Sequence, residues 1–200
     1  MSATPPEKNG ESTSPDEGGN PSQAVKPVPI EVIYSRFDAG ATYGAQKKFD
    51  CGNPIINGYF QNGLKAAVKK GDCASIVATG ADGLFIGACT YSAYSLSREK
   101  LKGSYERSLP WDVSVMRLIM LGVRTDFQKR EIGKELMACF LEAVAHAHAY
   151  VPFRGVYLDS HPKAIRFYES LGFHQLQAAS GADGEVPMLL KIEDILASFS

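Results

Sequence analysis

Leu121-Gly-Val-Arg-Thr-Asp-Phe-Gln-Lys-Arg-Glu-Ile-Gly133 is the stretch that decides the fold. An apolar strand ends, a short polar turn follows, and a helix is expected to begin at the glycine. This layout directs several backbone N–H groups and a helix N-terminus at one point, where an anion is stabilised, a diphosphate above all. Downstream, Ile132, Leu136, Cys139, Phe140, Ala143, Val144 and Ala147 fall on one face of an amphipathic helix. Upstream, residues 113–123 form a long apolar strand interrupted by Arg117 and Gly122.

Further out, residues 31–37 read as a first strand centred on Val32, Ile33 and Tyr34. Asn53-Pro54 is a helix-start signal. Ile56, Tyr59, Phe60, Leu64, Ala67 and Val68 then follow at three- and four-residue spacing. The basic end of that helix, Lys65, Lys69 and Lys70, suits a C-terminal dipole. Residues 75–79 and 84–94 are strands joined by an Ala81-Asp-Gly83 hairpin turn. Residues 103–111 are a polar loop, and residues 155–158 a short strand. Pro162 opens a further helix over Ala164, Ile165, Phe167, Tyr168 and Leu171, which Gly172 stops in the left-handed conformation. Residues 186–192 are a last strand, followed by a short helix over residues 193–199. This order predicts an α/β domain, a mixed sheet with helices on its faces.

Residues 1–29 are rich in Pro, Gly, Ser, Glu and Asn and carry almost no large apolar residue, the composition of a disordered tail. Residues 30–200 make one domain. The tail holds four acids against two bases, a net −2, leaving the remainder near +1 of the chain's −1. Nucleic-acid binding would therefore need a local basic patch rather than bulk charge. Cys51, Cys73, Cys89 and Cys139 form no C-x-x-C pair and read as reduced thiols, so neither disulfide nor metal is expected. No apolar run approaches the length of a membrane span and no secretory signal is visible, which predicts a cytoplasmic protein.

Two segments resemble the GNAT superfamily of N-acetyltransferases. Gln128-Lys-Arg-Glu-Ile-Gly133 is similar to the family's Q/R-x-x-G-x-G/A loop for the acetyl-CoA diphosphate. Ala164-Ile-Arg-Phe-Tyr-Glu-Ser-Leu-Gly-Phe173 is similar to its A-x-x-F-Y-x-x-x-G-F helix. Phe49-Asp-Cys-Gly-Asn-Pro-Ile-Ile-Asn-Gly-Tyr-Phe60 resembles the opening of GNAT-type toxins of bacterial toxin–antitoxin systems, which acetylate the amine of aminoacyl-tRNA. The resemblance covers roughly residues 30–195. It departs from the pattern at Glu131, in place of the middle glycine, and at His161, in place of the usual Asn. The implied fold is a single GNAT-type domain whose mixed, mostly antiparallel sheet splays between strands four and five, with helices on both faces.

The resemblance implies acetyl transfer from acetyl-CoA to a primary amine, with aminoacyl-tRNA as the specific candidate. A small-molecule or protein amine, or a non-catalytic module that binds acyl-CoA, are the alternatives. Leu121, Gly122 and Val123 would supply backbone groups to the pantetheine arm. Gln128, Lys129, Arg130, Glu131, Ile132, Gly133 and Lys134 would hold the diphosphate, with His161 close by. Replacing glycine by Glu131 disfavours positive φ and is expected to weaken acetyl-CoA binding without abolishing it. Tyr168 matches the family's general acid, and an ordinary tyrosine is protonated at neutral pH. No general base stands out. Asp159, Ser160 and His161 cluster after the fifth strand, where His161 either titrates or serves as a polar cap. Arg117 either lines the substrate cleft or snorkels at a strand edge, and Tyr94, Tyr105 and Trp111 either form an aromatic platform or pack in core and loop. A ribbon-helix-helix antitoxin and a homodimer are the implied protein partners.

Overall fold

The computed structural model describes residues 31–106, 108–176 and 184–199; the tail expected over residues 1–29 lies outside them. Seven strands make one sheet in the order β1-β2-β3-β4-β5-β7-β6. They are β1 Val32–Arg36, β2 Ala74–Gly80, β3 Phe85–Ser97, β4 Asp112–Val123, β5 Gly155–Ser160, β6 His174–Gln175 and β7 Val186–Lys191. The neighbours are antiparallel except β4 and β5, which are parallel over Met116↔Val156 and Arg117↔Tyr157. A parallel pair needs a crossover, and α3, Ile132–His148, provides it. That connection places the start of α3 at the C-terminal end of β4.

α3 buries Ile132, Leu136, Met137, Phe140 and Val144 against one sheet face, the 3.6-residue periodicity of the sequence made real. Each such side chain contributes roughly 1.5–3 kcal/mol. The opposite face carries two smaller clusters. One, built on Phe37, Phe49, Phe60, Leu64 and Phe85, lies under the helix at residues 54–70. The other, built on Leu96, Leu101, Val115, Tyr157 and Leu189, lies under the loop that follows β3.

The helix over residues 54–70 departs from the uniform helix expected from its spacing. α1, Pro54–Gly58, passes through a π turn, Tyr59–Gly63, into α2, Leu64–Lys70. The extra residue in that turn lets both Phe60 and Leu64 reach full burial. The Phe60 carbonyl accepts from Gln46 Nε2 at 2.9 Å. The start of α1 explains the preceding motif. Gly52 takes a φ of 84°, and Asn53 caps the helix by accepting from the N–H groups of Ile55 and Ile56 at 2.9 and 3.3 Å. Asn57 turns back, accepting from the Cys51 N–H at 2.8 Å and donating to Asp50 at 2.7 Å.

α4, Ile165–Glu169, is entered through a 3-10 turn at Pro162–Ala164 and stops at Gly172, with φ 89° and Phe173 N–H returning to the Tyr168 carbonyl. α5 is Ile192–Ala197. β6 is an element the sequence reading missed, because two residues carry no periodicity. The four cysteines are free, Cys73 and Cys89 buried and Cys51 and Cys139 half-buried. Among the described residues no helix is long and apolar enough to cross a membrane.

Asn53→Ala removes the one side-chain oxygen that accepts from two N–H groups at the helix start and is expected to cost about 1 kcal/mol, read as a lower urea midpoint at unchanged m-value.

Candidate active site

β4 contains a bulge. Tyr91 pairs with Leu118 and Thr90 with Met120, so Ile119 is the extra residue. A bulge bends its strand and increases local twist. The pairing with β5 ends at Arg117, two residues before Ile119. Beyond that point β4 follows β3 while β5 follows β7, and the two strands part.

The parting leaves backbone groups of β4 facing a gap. Arg124 donates to the carbonyl of Ile86, directly opposite, at 2.8 Å, which marks that pair as hydrogen-bonded. The alternation of an antiparallel ladder then turns Gly122 toward β3, and turns Leu121 and Val123 toward the gap. The missing side chain at Gly122 is explained by helix packing. A Cβ there would lie 2.8 Å from Ile56 Cγ2 and 3.2 Å from Phe60 Cε2.

After β4 the chain is pinned. Thr125 donates to the Asp50 carbonyl at 2.9 Å, and Arg124 forms a two-point ion pair with Asp126, both contacts 3.0 Å. That pair holds the Asp126 carboxyl below its usual range. Gln128 bridges two segments, its amide donating to the carbonyls of Cys51 and Val123, each at 3.0 Å. Its own N–H goes to Thr125. The following N–H groups, from Lys129 through Gly133, meet no protein acceptor among the described residues. Lys129 and Glu131 have φ values of 59° and 61°, and these left-handed residues fold the segment back on itself before α3.

α3 therefore starts at Ile132 behind a left-handed Glu131, one residue earlier than the glycine suggested. Glu131 adopts the backbone a glycine would, at a cost of roughly 1–2 kcal/mol for the left-handed conformation. Its side chain bonds no N–H of the loop. It pairs with Lys134 at 2.5 Å, both side chains half or more exposed. The loop thus keeps its unpaired N–H groups, while the Lys134 charge is answered by Glu131. The Arg130 guanidinium lies over the Phe127 ring at 5.5 Å. An open cavity of about 210 Å³ borders the loop, lined by Val123, Lys129, Ile132, Gly133 and Phe167 among others. A larger cavity, about 400 Å³, opens at the opposite end of the sheet between the start of β4 and α5, and neither the gap nor the loop borders it.

Tyr168 lies on the α3 side of the gap, against Phe167 and Phe173 with ring centroids 5.1 and 5.7 Å away and next to Cys89 of β3. Its hydroxyl has no hydrogen-bond partner among the described residues. Burial pushes its pKa above the usual tyrosine value, with Cys89 adding to the effect, so it holds its proton. His161 is exposed, and its Nδ1 accepts from the Lys163 N–H at 3.2 Å, which makes it the cap of the turn into α4. Ser160 is buried and donates to the His161 carbonyl.

The aromatic residues considered as a platform are in three separate places. Tyr94 stacks on Tyr157, Trp111 holds Arg98, and Tyr105 donates to the Arg154 carbonyl. Arg117 does not snorkel outward. It pairs with Asp159 at 3.0 Å beneath Tyr94. The sequence flagged Arg117 and Asp159 separately; only the parallel register of β4 and β5 joins residues 42 apart.

The parting of β4 and β5, with the N–H-rich loop at its end, is the arrangement that the GNAT resemblance implies for acetyl-CoA. The class is that of the acetyl-CoA-dependent acyltransferases with the GNAT fold. A family model described as an acetyltransferase (GNAT) domain matches residues 76–175, and the chain belongs to that family. A crystal structure described as that of a bacterial toxin is similar over 85% of this chain and 96% of its own, with 42% identity and a TM-score of 0.83. AtaT complexed with acetyl-methionyl-tRNA shares the fold, with 19% identity and a TM-score of 0.74 over 85% of this chain and all of that one. So does a tyrosine-to-phenylalanine mutant of KacT, with 20% identity and a TM-score of 0.75 over 84% and 99%. A comparison with curated protein sequences gives no significant match.

Glu131→Gly relieves the left-handed strain and is expected to raise stability by up to about 1 kcal/mol, net of the larger unfolded-state freedom of glycine. Glu131→Ala keeps the strain and loses the ion pair, so it is expected to give no gain. Thermal melting of the two variants side by side separates backbone from side-chain effects.

Proposed function

We propose that this chain acetylates the α-amine of aminoacyl-tRNA and so acts as a translation-blocking toxin, with Tyr168 as its general acid. The single observation that carries the chemistry is the gap. It offers strand backbone without a β partner along its wall, a run of free N–H groups at one end, and an unpartnered, protonated tyrosine hydroxyl on one face. Leu121 and Val123 are the residues assigned to the amide arm. Lys129 through Gly133 are assigned to the diphosphate, where N–H groups and the α3 dipole act together, typically for ~0.3–1 kcal/mol from the dipole and more when partly buried.

Gln128 and His161 contribute indirectly in this reading. Gln128 fixes the end of β4 against the Cys51 carbonyl, and His161 caps the turn that brings Tyr168 to the gap. Glu131 contributes its backbone. With its carboxylate turned to Lys134 it leaves the N–H groups open, which favours a working loop over a binding relic.

The chemical step is short. The neutral amine nitrogen attacks the thioester carbonyl and loses its proton to water, the carbon–sulfur bond breaks, and Tyr168 protonates the departing thiolate and takes a proton back from solvent. No catalytic metal is invoked. The choice of acceptor is supported by the toxin-like Phe49–Phe60 opening, by the 42% identical structure described as a bacterial toxin, and by the AtaT complex with acetyl-methionyl-tRNA. A ribbon-helix-helix antitoxin is the proposed protein partner, since neighbouring toxins are described bound to antitoxin.

Purified protein, labelled acetyl-CoA and a charged tRNA pool test the reading. Labelled acetyl-aminoacyl-tRNA is expected, uncharged tRNA should stay unlabelled, and the rate should fall steeply with salt as phosphate contacts are screened. Transfer only to another amine would overturn the acceptor. Tyr168→Phe is expected to lower kcat by roughly 10²–10⁴ while the acetyl-CoA Kd, measured by calorimetry, stays within about twofold. In cells, wild type should arrest growth and Tyr168→Phe should not.

A further inference from the structure

We infer that Arg117 and Asp159 form the recognition pair for an α-aminoacyl acceptor, a primary amine with a carbonyl on the adjacent carbon; this rests on the aminoacyl-tRNA reading above. Arg117 is the last β4 residue paired with β5, and Asp159 stands two residues beyond the last β5 partner, at the mouth of the gap. Strand alternation puts both on the sheet face opposite α3 and Tyr168, together with Tyr157 and Tyr94. The acceptor would thus approach from the face that the general acid does not occupy.

Arg117 Nη2 donates to Asp159 Oδ2 at 3.0 Å, and the Tyr157 hydroxyl donates to Oδ1 at 2.5 Å. The guanidinium lies over the Tyr94 ring at 5.0 Å, and that ring is 38% exposed. About a third of the Arg117 side chain and a quarter of the Asp159 side chain remain accessible. The pair is not explained by stability. A partly exposed ion pair contributes little, and this one holds the Arg117 Nε buried with no acceptor among the described residues.

Its chemistry fits one ligand class. Each Asp159 oxygen has accepted one donor and keeps capacity for another, so the carboxylate can accept from the N–H of an amine. Arg117 retains Nη hydrogens for a carbonyl oxygen. An α-aminoacyl ester presents that donor and that acceptor on neighbouring carbons, which matches a cation and an anion in contact. A lysine side-chain amine carries no acceptor beside its nitrogen, and a polyamine would bring a second cation against Arg117. The exposed part of Tyr94 offers apolar contact to the amino-acid side chain.

Steady-state acetylation of charged tRNA by Arg117→Met, Asp159→Asn and wild type tests the pair, with acetyl-CoA Kd and melting temperature measured alongside. Each substitution is expected to raise the KM for charged tRNA by on the order of tenfold, with the acetyl-CoA Kd and the melting temperature unchanged. Arg117→Lys keeps the charge without the planar fork; it is expected to fall between and serves if Arg117→Met does not fold. An unchanged KM overturns the inference, as does a loss that follows acetyl-CoA affinity or melting temperature. A wild type that acetylates no charged tRNA overturns the functional reading itself, whereas variants that match an active wild type overturn only the pair.

Discussion

The structure depends on a parallel pairing that stops after two residues. β4 and β5 meet at Met116↔Val156 and Arg117↔Tyr157, and the bulge at Ile119 then turns β4 away. A sheet broken at its centre would expose apolar surface and unpaired backbone on both sides, a costly arrangement. It is tolerated because each half is fully paired elsewhere: β4 follows β3 to Val123, and β5 pairs with β7 along its whole length. α3 bridges the two halves from one face, with Leu136, Met137 and Phe140 completely buried. Packing on both sides of the gap thus holds it open.

The same connection aims the loop. A parallel pair forces a crossover, the crossover is a helix, and the helix begins where β4 ends. The unpaired N–H groups of residues 129–133 are placed at the end of the gap by topology before any side chain is considered. The toxin-like opening then fixes that end from the other face. Asp50 and Cys51 offer carbonyls to Thr125 and Gln128, Asn57 and the Asp50 carboxylate hold the Asp50–Gly52 turn in place, and Asn53 caps the helix behind it. This gives the F-x-C-G-N-x-x-x-N pattern a physical content. It is a clamp on the end of β4, not a set of chemical groups.

Much of this was legible in the sequence, and what was not has identifiable causes. Long periodic elements such as α3, and punctuated ones such as the helix stopped by Gly172, announce themselves through spacing. The Phe49–Phe60 motif was visible as a pattern but its hydrogen bonds were not, since side-chain-to-backbone bonds carry no periodicity. The π turn at Tyr59–Gly63 hid inside a spacing that also suits an ordinary helix. Glu131 was legible as a departure. Its consequence was not, because the sequence gives no way to tell a residue that refuses positive φ from one that is held there by its surroundings. Arg117 stood out as a charge in an apolar strand, yet its partner belongs to a strand that only the parallel register brings near.

The two faces of the gap differ in a way that acyl transfer requires. On the α3 face Tyr168 is packed among aromatic rings, and burial raises its pKa. On the opposite face Tyr157 is also raised, first by burial and then by its hydrogen bond to Asp159, but its hydroxyl is already engaged as a donor to that carboxylate. Two tyrosines beside one opening thus have different uses. The hydroxyl without a partner is free to surrender its proton to a leaving group, and the engaged one holds Asp159 in place. A single polar face carrying both groups would let Tyr168 bond Asp159 and leave no donor for the thiolate. Separating them by the thickness of the sheet leaves the Tyr168 hydroxyl, the acid of the proposed step, unengaged.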